Sequence, residues 1–162
     1  MEHIRPARPE DASRIAELIV VNYRANFYPF FKNDPFYFGE LNVIDVASEY
    51  TAGSEALENT CVYDDGAVKG MIRTEGAEIK KLFVEPQFQN RGIGQKLLSF
   101  AVEQKNASWL WVLEYNEGGR RFYQRNGFIL TGEKMLEDDW VPLFKMEKQN
   151  DCGIIGQTNT DR

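Results

Sequence analysis

The sequence predicts a mixed α/β fold, with one mostly antiparallel central sheet of about six or seven strands and helices on its faces. Three observations carry this. Thr60-Cys-Val-Tyr63 and Ala67-Val-Lys-Gly-Met-Ile-Arg73 flank Asp64-Asp65-Gly66, and Asp-Gly between apolar runs is a strong hairpin signal. Ile93, Leu97, Leu98 and Ala101 recur at helical spacing. Strand-like and helix-like segments then alternate along the rest of the chain. A length of 162 residues suits one domain with a proper core and is too short for two comfortable ones. The domain is expected over residues 1–148, followed by a polar tail.

Each element has a local reason. His3-Ile4-Arg5-Pro6 reads as a short strand. Pro9 suits a first helical position, Glu10 and Asp11 complement the dipole, and Ile15, Leu18, Ile19 and Asn22 follow at helical spacing, giving a helix over 9–24. From Tyr23 to Phe38 come eight aromatics, broken by Pro29 and Asn33-Asp34-Pro35. A second helix is expected over 41–52. After the hairpin, Glu78-Ile-Lys-Lys-Leu-Phe-Val84 reads as a strand ending at Glu85-Pro86, with a helix from about 92 to 105 beyond it. Trp109-Leu-Trp-Val-Leu113 reads as a buried strand, and Asn116–Arg125 as a short helix stopped by Asn126-Gly127. Phe128–Thr131 and Val141–Met146 are the closing strands, with the acidic turn Glu137-Asp138-Asp139 between them.

Composition excludes several functions. Hydrophobic residues make up 43% and charged residues 27%, as in ordinary globular proteins. The first 76 residues carry 13 acids against 7 bases, while the remainder is balanced at 12 of each. Nucleic-acid binding needs a basic field, so it is not expected. No apolar run suits a membrane span, and the N-terminus shows no signal core, which fits a cytoplasmic protein. The single histidine, His3, argues against a catalytic triad or a histidine metal site. Cys61 and Cys152 offer neither a disulfide framework nor a metal spacing, so no metal is expected.

The stretch Gln89-Asn-Arg-Gly92-Ile-Gly94-Gln95 places two glycines where a strand turns into a helix. Free N–H groups and the helix dipole make such a junction an anion site. A P-loop string does not occur, and Leu97 stands where a dinucleotide fingerprint needs its third glycine. Gln89-x-x-Gly92-x-Gly94 instead resembles the pyrophosphate loop of the GNAT superfamily of acyl-CoA-dependent N-acyltransferases. The surroundings agree: Lys81–Pro86 before the loop, Trp109–Leu113 and Asn116 after the helix, then Phe122-Tyr123-x-x-x-Gly127-Phe128. The resemblance is close over 78–131 and extends over 1–76 only in element order.

The resemblance implies acetyl-CoA as co-substrate, with the N–H groups from Asn90, Arg91, Gly92, Ile93, Gly94 and Gln95 around its pyrophosphate and Gln89 opening the loop. It implies that Leu82, Phe83 and Val84 offer their backbone to the pantetheine arm as an added strand does. It makes Tyr123 the proton donor, or a hydrogen-bond donor, to the departing thiolate; the plain alternative is a structural tyrosine. Glu78 stands 14 residues before Gly92, the position of the family's general base in its histone-acetylating branch; its alternative is an exposed charge. Glu114 is a weaker second candidate. Asn116 is either an N-cap or a pantetheine ligand. The expected function is acetyl transfer to a primary amine of a small molecule, amino acid or peptide. The alternatives are a non-catalytic acyl-CoA-sensing module and a protein lysine or N-terminal acetyltransferase. The aromatic segment and the acidic first half suit a cationic acceptor, and a homodimer is compatible with the family.

Overall fold

The computed structural model describes residues 2–150, so most of the expected tail lies outside the described residues. The chain divides into two compact units, 1–107 and 108–162. The first unit contains β1 (Ile4–Pro6), α1 (Ala12–Asn26), α2 (Tyr28–Phe31), α3 (Val43–Ala47), α4 (Glu55–Glu58), β2 (Thr60–Asp64), β3 (Val68–Glu75), β4 (Glu78–Val84) and α5 (Ile93–Lys105). Its four strands pair antiparallel in the order β1–β2–β3–β4.

Two adjacent residues of β3 show how this sheet is covered on both faces. Successive side chains alternate across a strand. Met71 joins Ile15, Leu18 and Ile19 of α1 in the main core, with Val62, Tyr50 and Leu57. The neighbouring Gly70 faces α5: a Cβ there would stand 3.0 Å from Leu97 Cδ1 and 3.2 Å from Ile93 Cγ2. The missing side chain is what lets α5 sit this close.

The N-terminal helix forms much as expected, with Pro9–Asp11 as a 3₁₀ turn before α1. The Asp11 carboxylate accepts from Arg8 N at 2.8 Å and takes two hydrogen bonds from Arg5. Arg5 also holds Asp64; its guanidinium keeps Asp11 below the usual carboxylate range, while Asp64 is lowered first by the Gly66 N–H and then by Arg5.

The helix expected over 41–52 shortens to α3, capped by the Asn42 side chain. Its apolar positions do not hold one stripe: Ile44 is 82% exposed, while Tyr50 is drawn into the core. The aromatic segment becomes α2 and a π turn at Phe36–Glu40. It packs as a second core around Val20, Tyr37 and Leu41, joined by Tyr23, Phe27, Tyr28, Phe31 and Phe36.

The second unit holds β5 (Trp109–Leu113), α6 (Glu117–Arg125), β6 (Phe128–Glu137) and β7 (Val141–Lys148), with β7 paired antiparallel to both other strands. β6 runs six residues past the expected Thr131. Gly132, at φ 88°, marks a bulge between Leu130 and Lys134 rather than a strand end, and pairing resumes beyond it. Among the described residues no helix is long and apolar enough to cross a membrane.

Candidate active site

In the first unit the β3–β4 hairpin and the loop into α5 gather most of the predicted positions. Arg73 pairs with Lys81 and Thr74 with Ile79, so Lys80 is the extra residue of a β-bulge. Glu78 lies just beyond this bulge and is 8% exposed, which removes the exposed-charge reading. Its Oε2 receives the Lys80 ammonium at 2.9 Å, and the other oxygen remains able to accept. Leu82, Phe83 and Val84 follow, each half-buried. The Phe83 ring packs edge-on to Tyr23 at 5.5 Å and lines the main core.

The loop turns sharply and leaves backbone donors open. Asn90 (φ 63°) and Gly92 (φ 84°) both adopt left-handed backbone, which turns the chain sharply ahead of α5. The Gln89 N–H bonds to Pro86 O, and the next backbone donor with a protein acceptor is Lys96, bonding to Gly92 O. Among the described residues the six N–H groups from Asn90 to Gln95 therefore have no acceptor. An α-helix leaves about four N-terminal donors open; the preceding turn adds to them here. No atom lies within 4 Å of the point where a Gly92 Cβ would stand. A side chain there would project into open space.

Buried polar contacts hold the loop in place. Asn22, 3% exposed on α1, donates from Nδ2 to Leu18 O at 2.8 Å and to Val84 O at 3.2 Å. Gln89 donates to the same Val84 carbonyl at 3.0 Å. Both lone pairs of that carbonyl are thus engaged, and the Gln89 side chain ties the loop to β4. On the other side of the turn, Arg14 donates to Val68 O and pairs with Glu85 at 2.6 Å. Glu85 is the one acid among the bases of this stretch, and Arg14 neutralises it. Arg91 and Lys96 remain by the loop, over the rings of Phe88 and Tyr63.

In the second unit Asn116 caps α6: its Oδ1 accepts from Gly119 N at 2.9 Å. The N-cap alternative is thereby realised, and the Nδ2 donor has no acceptor among the described residues. Tyr123, half-buried on α6, packs edge-on between Phe122 and Phe128 at 5.2 and 5.8 Å. Burial pushes its phenol up from the ordinary value, with no charged partner contributing. It stays protonated at neutral pH, and its hydroxyl has no partner among the described residues. Glu114 borders a cavity of about 410 Å³ with Met135, Leu136 and Phe144.

The sequence reading missed two anchors. Asn22 was visible as a polar residue in an apolar stripe, a pattern that signals a buried hydrogen-bond network. The Arg14–Glu85 bridge spans 71 positions and has no local signature. Cys61 is buried and its thiol is pushed up by that burial, the opposite of an activated nucleophile.

Comparisons with known proteins bear on the fold and the family pattern. The acetyltransferase (GNAT) domain pattern matches residues 56–130. An uncharacterised N-acetyltransferase of Lactobacillus delbrueckii subsp. lactis is 33% identical over 91 residues, which is 52% of this chain and 53% of that protein. The chain thus spans about half the length of this curated relative. Among solved structures, an N-acetyltransferase from Staphylococcus aureus Mu50 superposes with a TM-score of 0.71 at 18% identity, covering 89% of this chain and 98% of that one. The PaiA N-acetyltransferase of Thermoplasma acidophilum, solved with coenzyme A, gives 0.65 at 20% identity, covering 91% and 98%. These similarities show the same mixed α/β fold.

Proposed function

We propose, on the match of residues 56–130 to the acetyltransferase (GNAT) domain pattern, that the chain moves an acetyl group from acetyl-CoA directly to a primary amine of a small molecule, amino acid or peptide. The observation that carries the reading is the open N-terminus of α5, with six backbone donors free of protein acceptors. Oriented N–H groups and about half a positive charge of helix dipole fit a pyrophosphate. The open space over Gly92 fits a ligand that approaches the backbone closely. Arg91 and Lys96 add positive charge that Glu85, held by Arg14, does not cancel.

Bound acetyl-CoA supplies an activated thioester. The backbone of Leu82, Phe83 and Val84 positions the pantetheine arm by strand-like hydrogen bonds. Because the Val84 carbonyl is occupied, that residue can contribute only its N–H. Asn116, with Oδ1 spent on its cap, keeps Nδ2 as an open donor. A lysine-type amine, at about 10.4, must lose a proton before it attacks, while a thiolate with a conjugate-acid pKa near 8.5 leaves readily. Glu78 takes the amine proton through water, using the oxygen that Lys80 leaves available. Tyr123 donates its hydroxyl proton toward the departing sulfur. Its raised pKa makes this a strengthening hydrogen bond rather than an early proton transfer.

The test is thiol release from acetyl-CoA across polyamines, aminoglycosides, free amino acids, lysine peptides and peptides with free N-termini. Release with one class, lowered by Tyr123→Phe, is expected. Tight acetyl-CoA binding with no release from any class would point to a sensing module, and loss of binding as well would overturn the loop assignment.

A further inference from the structure

The β3–β4 hairpin holds two bases for which this chemistry has no use. Arg73 and Lys81 are direct cross-strand partners in an antiparallel ladder, so their side chains leave the same face as close neighbours. Like charges so placed repel unless an anion compensates them. Among the described residues none does. Arg73 reaches only Tyr50, donating from Nη1 to its hydroxyl at 3.4 Å with the guanidinium 5.9 Å from the ring centroid. Its Nε is buried without an acceptor among the described residues. Lys81 meets only Tyr23, by a hydrogen bond to its hydroxyl and a ring contact at 5.0 Å. The hairpin's two acids are spent elsewhere: Glu78 and Glu75 stand 2.9 and 3.7 Å from Lys80.

With Nε buried, it is the terminal Nη groups of Arg73, engaged only at 3.4 Å by the Tyr50 hydroxyl, that an incoming acceptor would meet. A guanidinium fork beside an ammonium matches a carboxylate. Tyr23, with Phe27 and Phe83 edge-on to it at 5.0 and 5.5 Å, supplies an apolar wall beside that charge. Elsewhere in this unit, Asp11 and Asp64 are held by Arg5, and Glu85 by Arg14. We infer that Arg73 and Lys81 form a carboxylate-recognition site, and that the amine acceptor also bears a carboxylate, as an amino acid or the C-terminal residue of a short peptide does. Naming this ligand an acceptor rests on the acetyltransfer reading; the binding itself needs no turnover.

Calorimetric titration of the full chain with N-acetyl amino acids and their matching amides tests it. The free acids should bind about tenfold tighter than the amides. Arg73→Gln and Lys81→Gln should each reduce that preference to less than about threefold, with the thermal melt and acetyl-CoA affinity retained. The wild-type comparison stands even where a variant folds poorly. Equal affinities for acid and amide, or no binding of any acid, would overturn the site. Thiol release with carboxylate-free amines, alongside that result, would leave the acetyltransfer reading intact. An acid preference without thiol release from any amine would instead retain the site and remove the enzymatic reading.

Discussion

Two strand–loop–helix junctions of the chain solve the same problem in opposite ways. At the start of α6, Asn116 folds its own side chain over the helix and satisfies the Gly119 N–H. At the start of α5, no side chain caps, Gly92 holds a left-handed turn, and the donors from Asn90 to Gln95 stay open. The open end forgoes about 1 kcal/mol of capping, and its turn is kept in place by Asn22 and Gln89 from outside the helix. One junction spends its donors within the fold, and the other leaves them open, as the proposed cofactor site requires.

That contrast can be broken experimentally, beginning where the effect is largest. Gly92→Val should lower acetyl-CoA affinity by about a hundredfold or more, because several charge-assisted hydrogen bonds are obstructed together. It should also cost about 1–2 kcal/mol of stability, since φ 84° strains any residue with a Cβ. Titration and a denaturant melt separate the two losses, and unchanged affinity would refute the open-end reading. Tyr123→Phe, on the helix whose end is closed, should reduce kcat by about a hundredfold while acetyl-CoA affinity holds. Full activity would make Tyr123 structural.

Gly70→Val pushes against Leu97 and Ile93 at the foot of the open helix. It should cost about 1–3 kcal/mol by overpacking and weaken cofactor binding in parallel; a melt without change would show that α5 is not held by this contact. The smallest effect sharpens the closed end. Asn116→Ala should cost about 1 kcal/mol as a lost cap, whereas Asn116→Asp keeps the cap and removes the Nδ2 donor. A drop in acetyl-CoA affinity in both variants would assign that donor to the cofactor, whereas a drop in the alanine variant alone would trace to the lost cap.

The open end was legible in the sequence because backbone geometry there demands particular residues. Gly92 at positive φ and the apolar spacing of Ile93, Leu97 and Leu98 each leave a local trace. The strand from Glu78 to Val84 and the hairpin at Asp64-Asp65-Gly66 were readable for the same reason. What escaped was non-local. The helix expected over 41–52 failed because Tyr50 is worth more in the core than in a helical turn. The continuation of β6 past Thr131 was hidden by Gly132, which reads as a terminator but serves as a bulge. The Arg73–Lys81 juxtaposition depends on a register that the bulge at Lys80 sets, and no periodicity reveals such a shift.

The doubly engaged Val84 carbonyl has a consequence for anyone who would redesign this protein. Asn22 and Arg14 belong to the N-terminal helix, yet they are the points at which that helix grips the loop. A chimaera that exchanges residues 1–40 therefore also exchanges the fastenings of the loop ahead of α5. Grafts that retain asparagine at 22 and arginine at 14 should transplant cleanly; those that do not will register as failures of the cofactor, at a distance from the segment that was altered.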